Sequence, residues 1–141
     1  MITEDYVSFE TANLLKEKRF DEICRAFWKE WNGEISLCSC NSSHTFEYCY
    51  NTMLENYNDS EETNIAAPTL QMAMKWLREI YDLHIIAYPW RANKEERATH
   101  WCCKVYKSFN LLGYEKYTNE TPKSYEEACG AAIKYCLENL I

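Results

Sequence analysis

APTLQMAMKWLREIY, residues 67–81, is the stretch on which the fold reading turns. Leu70, Ala73, Met74, Leu77, Ile80 and Tyr81 recur at the three-and-four spacing of one helical face, with Trp76 on its flank. Gln71, Lys75, Arg78 and Glu79 turn mostly away from that face. Pro68 and Thr69 suit a helix start, because proline loses nothing where the backbone N–H is unpaired and threonine can cap. An amphipathic helix needs a surface to cover, and aromatic, strand-like stretches lie on both sides of this one. The natural architecture is a sheet with helices packed on it.

Before the helix, Ser8 can cap a helix from Phe9 to about Lys18, with Phe9, Ala12 and Leu15 as its apolar stripe and Leu14 at the edge. Phe20 to Trp31 fits either periodicity, and its aromatic content together with the turn that follows favours a strand from about Cys24. Asn32-Gly33 is a strong hairpin signal, since a two-residue primed turn needs positive φ at both positions. A second strand then runs over Glu34–Cys40, with Ile35 and Leu37 alternating with Glu34 and Ser36, and a third over His44–Asn51. Asn56–Asn64 is polar and acidic and reads as a loop.

Beyond the helix, Leu83–Trp90 is strand-like, and Pro89 limits its ladder on one edge. Arg91–Arg97 is a charged hairpin loop, and Thr99–Phe109 is the returning strand. Alternation places Trp101, Cys103 and Val105 on one face of that strand and His100, Cys102, Lys104 and Tyr106 on the other. Leu111–Lys123 reads as a loop. Ser124 with Glu127 is a capping box, opening a last helix whose stripe is Tyr125, Ala128, Cys129, Ala132, Ile133, Cys136 and Leu140. The expectation is one α+β domain over residues 1–141, an antiparallel sheet of about five strands with three helices packed on it.

Composition narrows the function. Fifteen basic against 22 acidic residues, a formal charge of −7, argue against a nucleic-acid polymer or an anionic membrane as partner. No apolar run is long enough to span a bilayer, and the acidic start MITEDYVSFE is unlike a signal peptide. The reading is cytoplasmic, so the eight cysteines are expected to be reduced thiols, packing residues or metal ligands rather than a disulfide framework.

Three blocks, MITEDYVSFETANLLKEK, APTLQMAMKWLREIYDLHI and YEEACGAAIKYCLENLI, resemble the shared blocks of a group of small uncharacterised proteins of gut Bacteroidetes and their phages or mobile elements. The resemblance covers a third to a half of the chain. It implies a genomic setting and supplies no catalytic residues. Phe20–Asn64 and Tyr88–Lys123 depart from the shared pattern, and a common scaffold with variable hairpins suits a binding protein.

Four constellations bear on chemistry. Cys38, Cys40, His44 and Cys49 offer the ligand types of a tetrahedral zinc site, but their C-x-C-x3-H-x4-C spacing differs from a zinc knuckle, and half-buried packing cysteines explain them as well. Trp90, Arg91, Lys94, Arg97, His100, Trp101 and Lys104 put positive charge beside aromatic rings, which can stack a base and pair its phosphate. The candidate ligand-binding residues are Trp90, Arg91, Arg97, His100 and Trp101, set against a solvated loop with core tryptophans. Cys102 beside His100 offers a thiol and a base on one strand face, with nothing to fix a third group. Glu61, Glu62, Glu126 and Glu127 are paired only by adjacency, and no Gly-rich phosphate loop is present.

The expectation is therefore a non-catalytic binding protein that holds a host protein or a small ligand, with no cofactor. In a phage or mobile-element setting, sequestering a signalling nucleotide would serve counter-defence. The competing reading is a zinc-binding or cysteine-dependent module built on Cys38, Cys40, His44 and Cys49.

Overall fold

The computed structural model describes residues 4–39, 58, 64–91, 100–108, 110–114 and 121–141. Their order is α1 (Phe9–Glu17), β1 (Ala26–Trp31), β2 (Glu34–Ser39), β3 (Ile65–Ala66), α2 (Leu70–Tyr81), β4 (Leu83–Trp90), β5 (His100–Lys107), β6 (Asn110–Tyr114) and α3 (Tyr125–Asn139). The chain is α+β and divides into two compact units, Met1–Thr69 and Leu70–Ile141. Among the described residues, each unit holds a three-stranded antiparallel sheet, β2–β1–β3 and β4–β5–β6. One sheet of about five strands was the expectation. Each hairpin instead completes its own sheet with a short third strand that the sequence pattern does not announce.

In the first unit, Ser8 caps α1 as its spacing requires: its Oγ accepts from Thr11 N at 3.2 Å. Thr11, Ala12 and Leu15 are buried, with Phe9 half-buried at the edge. The helix ends in a Schellman arrangement, with Arg19 at φ 63°, Arg19 N donating to Lys16 O and Phe20 N to Leu15 O. Phe20 is thereby turned into the core. Asn32 (φ 52°) and Gly33 (φ 80°) form the primed turn, and Trp31 pairs directly with Glu34.

β3 is the unforeseen strand. Ile65 and Ala66 pair with Trp28 and Phe27, and Ala67 N continues the ladder to Ala26 O at 2.9 Å. Two residues are too few to carry a periodic signal. Asn58, in the segment expected to be a plain loop, fixes the register: its side chain donates to Phe20 O at 2.7 Å and accepts from Ala66 N at 3.0 Å. Ile35 and Leu37 alternate along β2 as expected but are exposed. The third strand expected over His44–Asn51 lies outside the described residues.

The second unit begins with α2 at Leu70, because Ala67, Pro68 and Thr69 are held extended: Val7 N donates to Pro68 O at 3.0 Å, and Tyr6 and Thr69 form a bridge. Leu70, Ala73, Trp76 and Leu77 are its buried face. That face is rotated toward Trp76, which is 5% exposed, while Ile80 in the last turn is 60% exposed, the reverse of the expected stripe. β4 and β5 pair in register from Leu83↔Lys107 to Trp90↔His100. β6 occupies residues expected to be loop. Ser108 has φ 47°, and Asn110 pairs with Lys107. α3 starts at the foreseen cap, where Ser124 Oγ accepts from Glu127 N at 3.1 Å and Glu127 Oε2 accepts from Lys123 N at 2.8 Å. Ala128, Cys129, Ala132, Ile133, Cys136 and Leu137 are buried, so Leu137 rather than Leu140 closes the stripe.

α3 lies against β4 and β5, and α2 against β4 and α3. Cys103, Ala128 and Ala132 meet in this core with Ile85, Ala87 and Trp101 packed around them. Both helices thus serve one face of the sheet. Among the described residues, no helix is long and apolar enough to cross a membrane.

Candidate functional site

Strand alternation sends His84, Ile86, Tyr88 and Trp90 of β4 to the face away from the helices, opposite Tyr106, Lys104, Cys102 and His100 of β5. Leu111 of β6 pairs with Tyr106 and joins the same face. Trp90, Ile86 and Leu111 are exposed, at 47%, 51% and 51%, and the others are half-buried. Five rings and three aliphatic or thiol side chains on a sheet surface, with Lys104 among them, form a row about 20 Å long from His84 to Trp90.

At one end Trp90 and His100, directly paired across the strands, stand edge to face with ring centres 6.2 Å apart. One diagonal step inward, the Lys104 ammonium lies 5.2 Å from the Tyr88 ring centre. Arg91 follows Trp90 and is exposed. Trp90, His100 and Lys104 of the expected cluster therefore share one face, and Arg91 is next to Trp90 in the chain. Trp101 does not: it faces the helices, packing edge-on to Tyr125 at 5.5 Å and against Cys103, Ala128 and Ala132. Its place in the expected ligand site is corrected by the period of two, which sends adjacent residues to opposite faces. Lys94 and Arg97 lie outside the described residues.

At the other end a groove of about 490 Å³ is lined by Asp82, His84, Ile86, Tyr106 and Ser108. Asp82 Oδ2 accepts from Ser108 Oγ at 2.6 Å and Ser108 N at 3.0 Å, and Oδ1 lies 2.9 Å from His84 Nε2. These hydrogen bonds, Ser108's first and then His84's, hold the Asp82 carboxyl below its ordinary pKa. Ser, Asp and His together invite comparison with a nucleophilic triad, where the imidazole must sit between hydroxyl and carboxylate. Here the carboxylate is central. Ser108 spends its hydrogen on Asp82, so the set is a staple: it ties the left-handed residue after α2 (Asp82, φ 57°) to the left-handed turn of β5–β6. The sequence signal for it would have been the Asp-x-His beyond the helix, which becomes informative only once β6 returns Ser108 beside it.

The charge excess is unevenly spread. Met1–Thr69 carries 13 acidic and five basic residues, whereas Leu70–Ile141 carries nine acidic and ten basic. The second unit by itself is close to neutral.

Of the expected zinc set, Cys38 is half-buried opposite Phe27 on β2, and Cys40, His44 and Cys49 lie outside the described residues. Among the described residues, no three His, Cys, Asp or Glu side chains are grouped to hold a metal ion. His100 and Cys102 share the open sheet face as expected, two positions apart, with His100 edge-on to Trp90. Of the carboxylates paired by adjacency, Glu127 is engaged in the helix cap. Comparison with protein-family models, curated proteins and solved structures finds no match.

Proposed function

We propose that the chain is a non-catalytic binding protein whose ligand lies on the open face of β4 and β5, and that the ligand is a nucleotide. The observation that carries this reading is the juxtaposition of exposed Trp90 on His100 with Lys104 over Tyr88, one residue row apart. Rings in this arrangement can stack a base, and Lys104 and Arg91 can meet its phosphate. The row then continues toward the Asp82 groove, giving room for more than one base. In the phage or mobile-element setting that the sequence resemblance implies, a cytoplasmic protein that sequesters a signalling nucleotide acts in counter-defence.

Tryptophan fluorescence and equilibrium dialysis against purine mononucleotides and cyclic dinucleotides test the proposal. Saturable binding that Trp90→Ala weakens about tenfold or more is expected, since stacking contributes about 1–3 kcal/mol per base. Binding unchanged in Trp90→Ala and Lys104→Ala, or no binding of any of these nucleotides, contradicts it.

A further inference from the structure

We propose, resting on the nucleotide reading of the open face, that the groove at its Asp82 end is a second base subsite and that the ligand is a dinucleotide joined through a pyrophosphate. The groove is lined by Asp82, His84, Ile86, Tyr106 and Ser108, and its volume of about 490 Å³ falls in the range of small-molecule sites. Ile86 is 51% exposed and Tyr106 half-buried, and they are diagonal neighbours across β4 and β5. An apolar branch beside an aromatic ring is a platform on which a flat base can lie.

The polar rim of the groove narrows what can lie there. Asp82 Oδ2 accepts from Ser108 Oγ at 2.6 Å and Ser108 N at 3.0 Å, and Oδ1 is 2.9 Å from His84 Nε2. Among the described residues, three of the carboxylate's roughly four acceptor positions are thus used, and Oδ1 retains one. The same contacts, Ser108's first and then His84's, keep the carboxyl ionised at neutral pH. An ionised acceptor held in place repels a phosphate and favours an N–H donor, such as the exocyclic amine of a base. The groove therefore suits the base end of a ligand.

Charge and spacing then set the ligand's order. From the Trp90–His100 pair to the His84–Tyr106 pair is three side-chain rows, about 20 Å along the sheet. Lys104, with its ammonium 5.2 Å from the Tyr88 ring centre, stands between these ends. Along the face come a ring pair, a cation, then a ring beside a carboxylate. A mononucleotide stacked on Trp90 with its phosphate at Lys104 ends short of the groove. A second nucleoside beyond the phosphate reaches it, provided the bridge lets the two bases splay. A pyrophosphate between two 5′ oxygens does so, whereas a single 3′,5′ linkage keeps neighbouring bases close enough to stack on each other.

Isothermal titration calorimetry of the full chain with diadenosine diphosphate and with ADP-ribose tests the assignment, since these ligands differ by the second adenine alone. Diadenosine diphosphate is expected to bind about tenfold more tightly or better, the lower end of what stacking one base supplies. Tyr106→Ala should remove that gain and leave ADP-ribose binding unchanged, which also reports that the variant folds. Ile86→Ala, at an exposed position, should reduce the gain and serves where Tyr106→Ala does not fold. Equal affinity for the two ligands, or the full gain in either folded variant, overturns the groove assignment. If ADP-ribose still binds in a Trp90-dependent manner, that result leaves the nucleotide reading standing. Binding of neither ligand removes the reading and the groove assignment together.

Discussion

The two faces of β5 set one strand in two chemistries. Cys103 and Val105 are closed off under α3, with Trp101 packed at the edge of that core, while His100, Cys102, Lys104 and Tyr106 stand on the uncovered side. Nothing in local composition separates the sets, since each contains a ring and a thiol. Position parity does, because successive side chains of a strand point to opposite faces. Clusters that are contiguous in sequence, such as His100 with Trp101 or Cys102 with Cys103, are therefore divided, while residues far apart, such as His84 and Tyr106, become neighbours.

The comparison can be broken most severely from the covered side. Ile133→Ala removes a fully buried side chain and is expected to lower stability by about 3 kcal/mol, read by urea denaturation. Ile86→Ala, on the open face, should change it by about 0.5 kcal/mol or less. Equal losses would mean that both faces are buried in solution. Next in size, Ser124→Ala should cost about 1 kcal/mol through the lost cap of α3.

The smallest effect is on pH. Asp82 has its folded pKa depressed, so its contribution is present above the ordinary aspartate value of about 4 and is lost as pH falls through the lower folded value. Denaturation midpoints of Asp82→Asn should accordingly show a shallower acid decline than wild type below about pH 4. An identical acid decline would show that the Ser108 and His84 contacts do not hold in solution.

Much of this was legible in advance, and the misses share a cause. Ser8, Asn32-Gly33 and Ser124 with Glu127 act through contacts within a few residues, so their caps and turn could be read directly. β5 carries a long alternating run, from which its two faces are readable, whereas β4 is legible only as a strand. β3 and β6 escaped because a two-residue strand has no period, and because the Ser108 reversal uses none of the usual turn pairs and is held by Asp82, 26 residues away. The spacing puts Trp76 on the flank and Ile80 in the stripe because a helical wheel gives angles but not where the neighbouring elements end. The candidate site is legible in the sequence as residue types at Trp90, Arg91 and His100, whereas Tyr88 and the Asp82 groove need the register.

The most direct test of the central claim is a backbone and side-chain NMR titration with a cyclic dinucleotide, comparing the two faces of β4 and β5. The account predicts shifts that alternate along each strand, strong at Tyr88, Trp90, His100 and Lys104 and weak at Ala87, Cys103 and Val105. Shifts absent from the open face, or concentrated in Met1–Thr69, would contradict it.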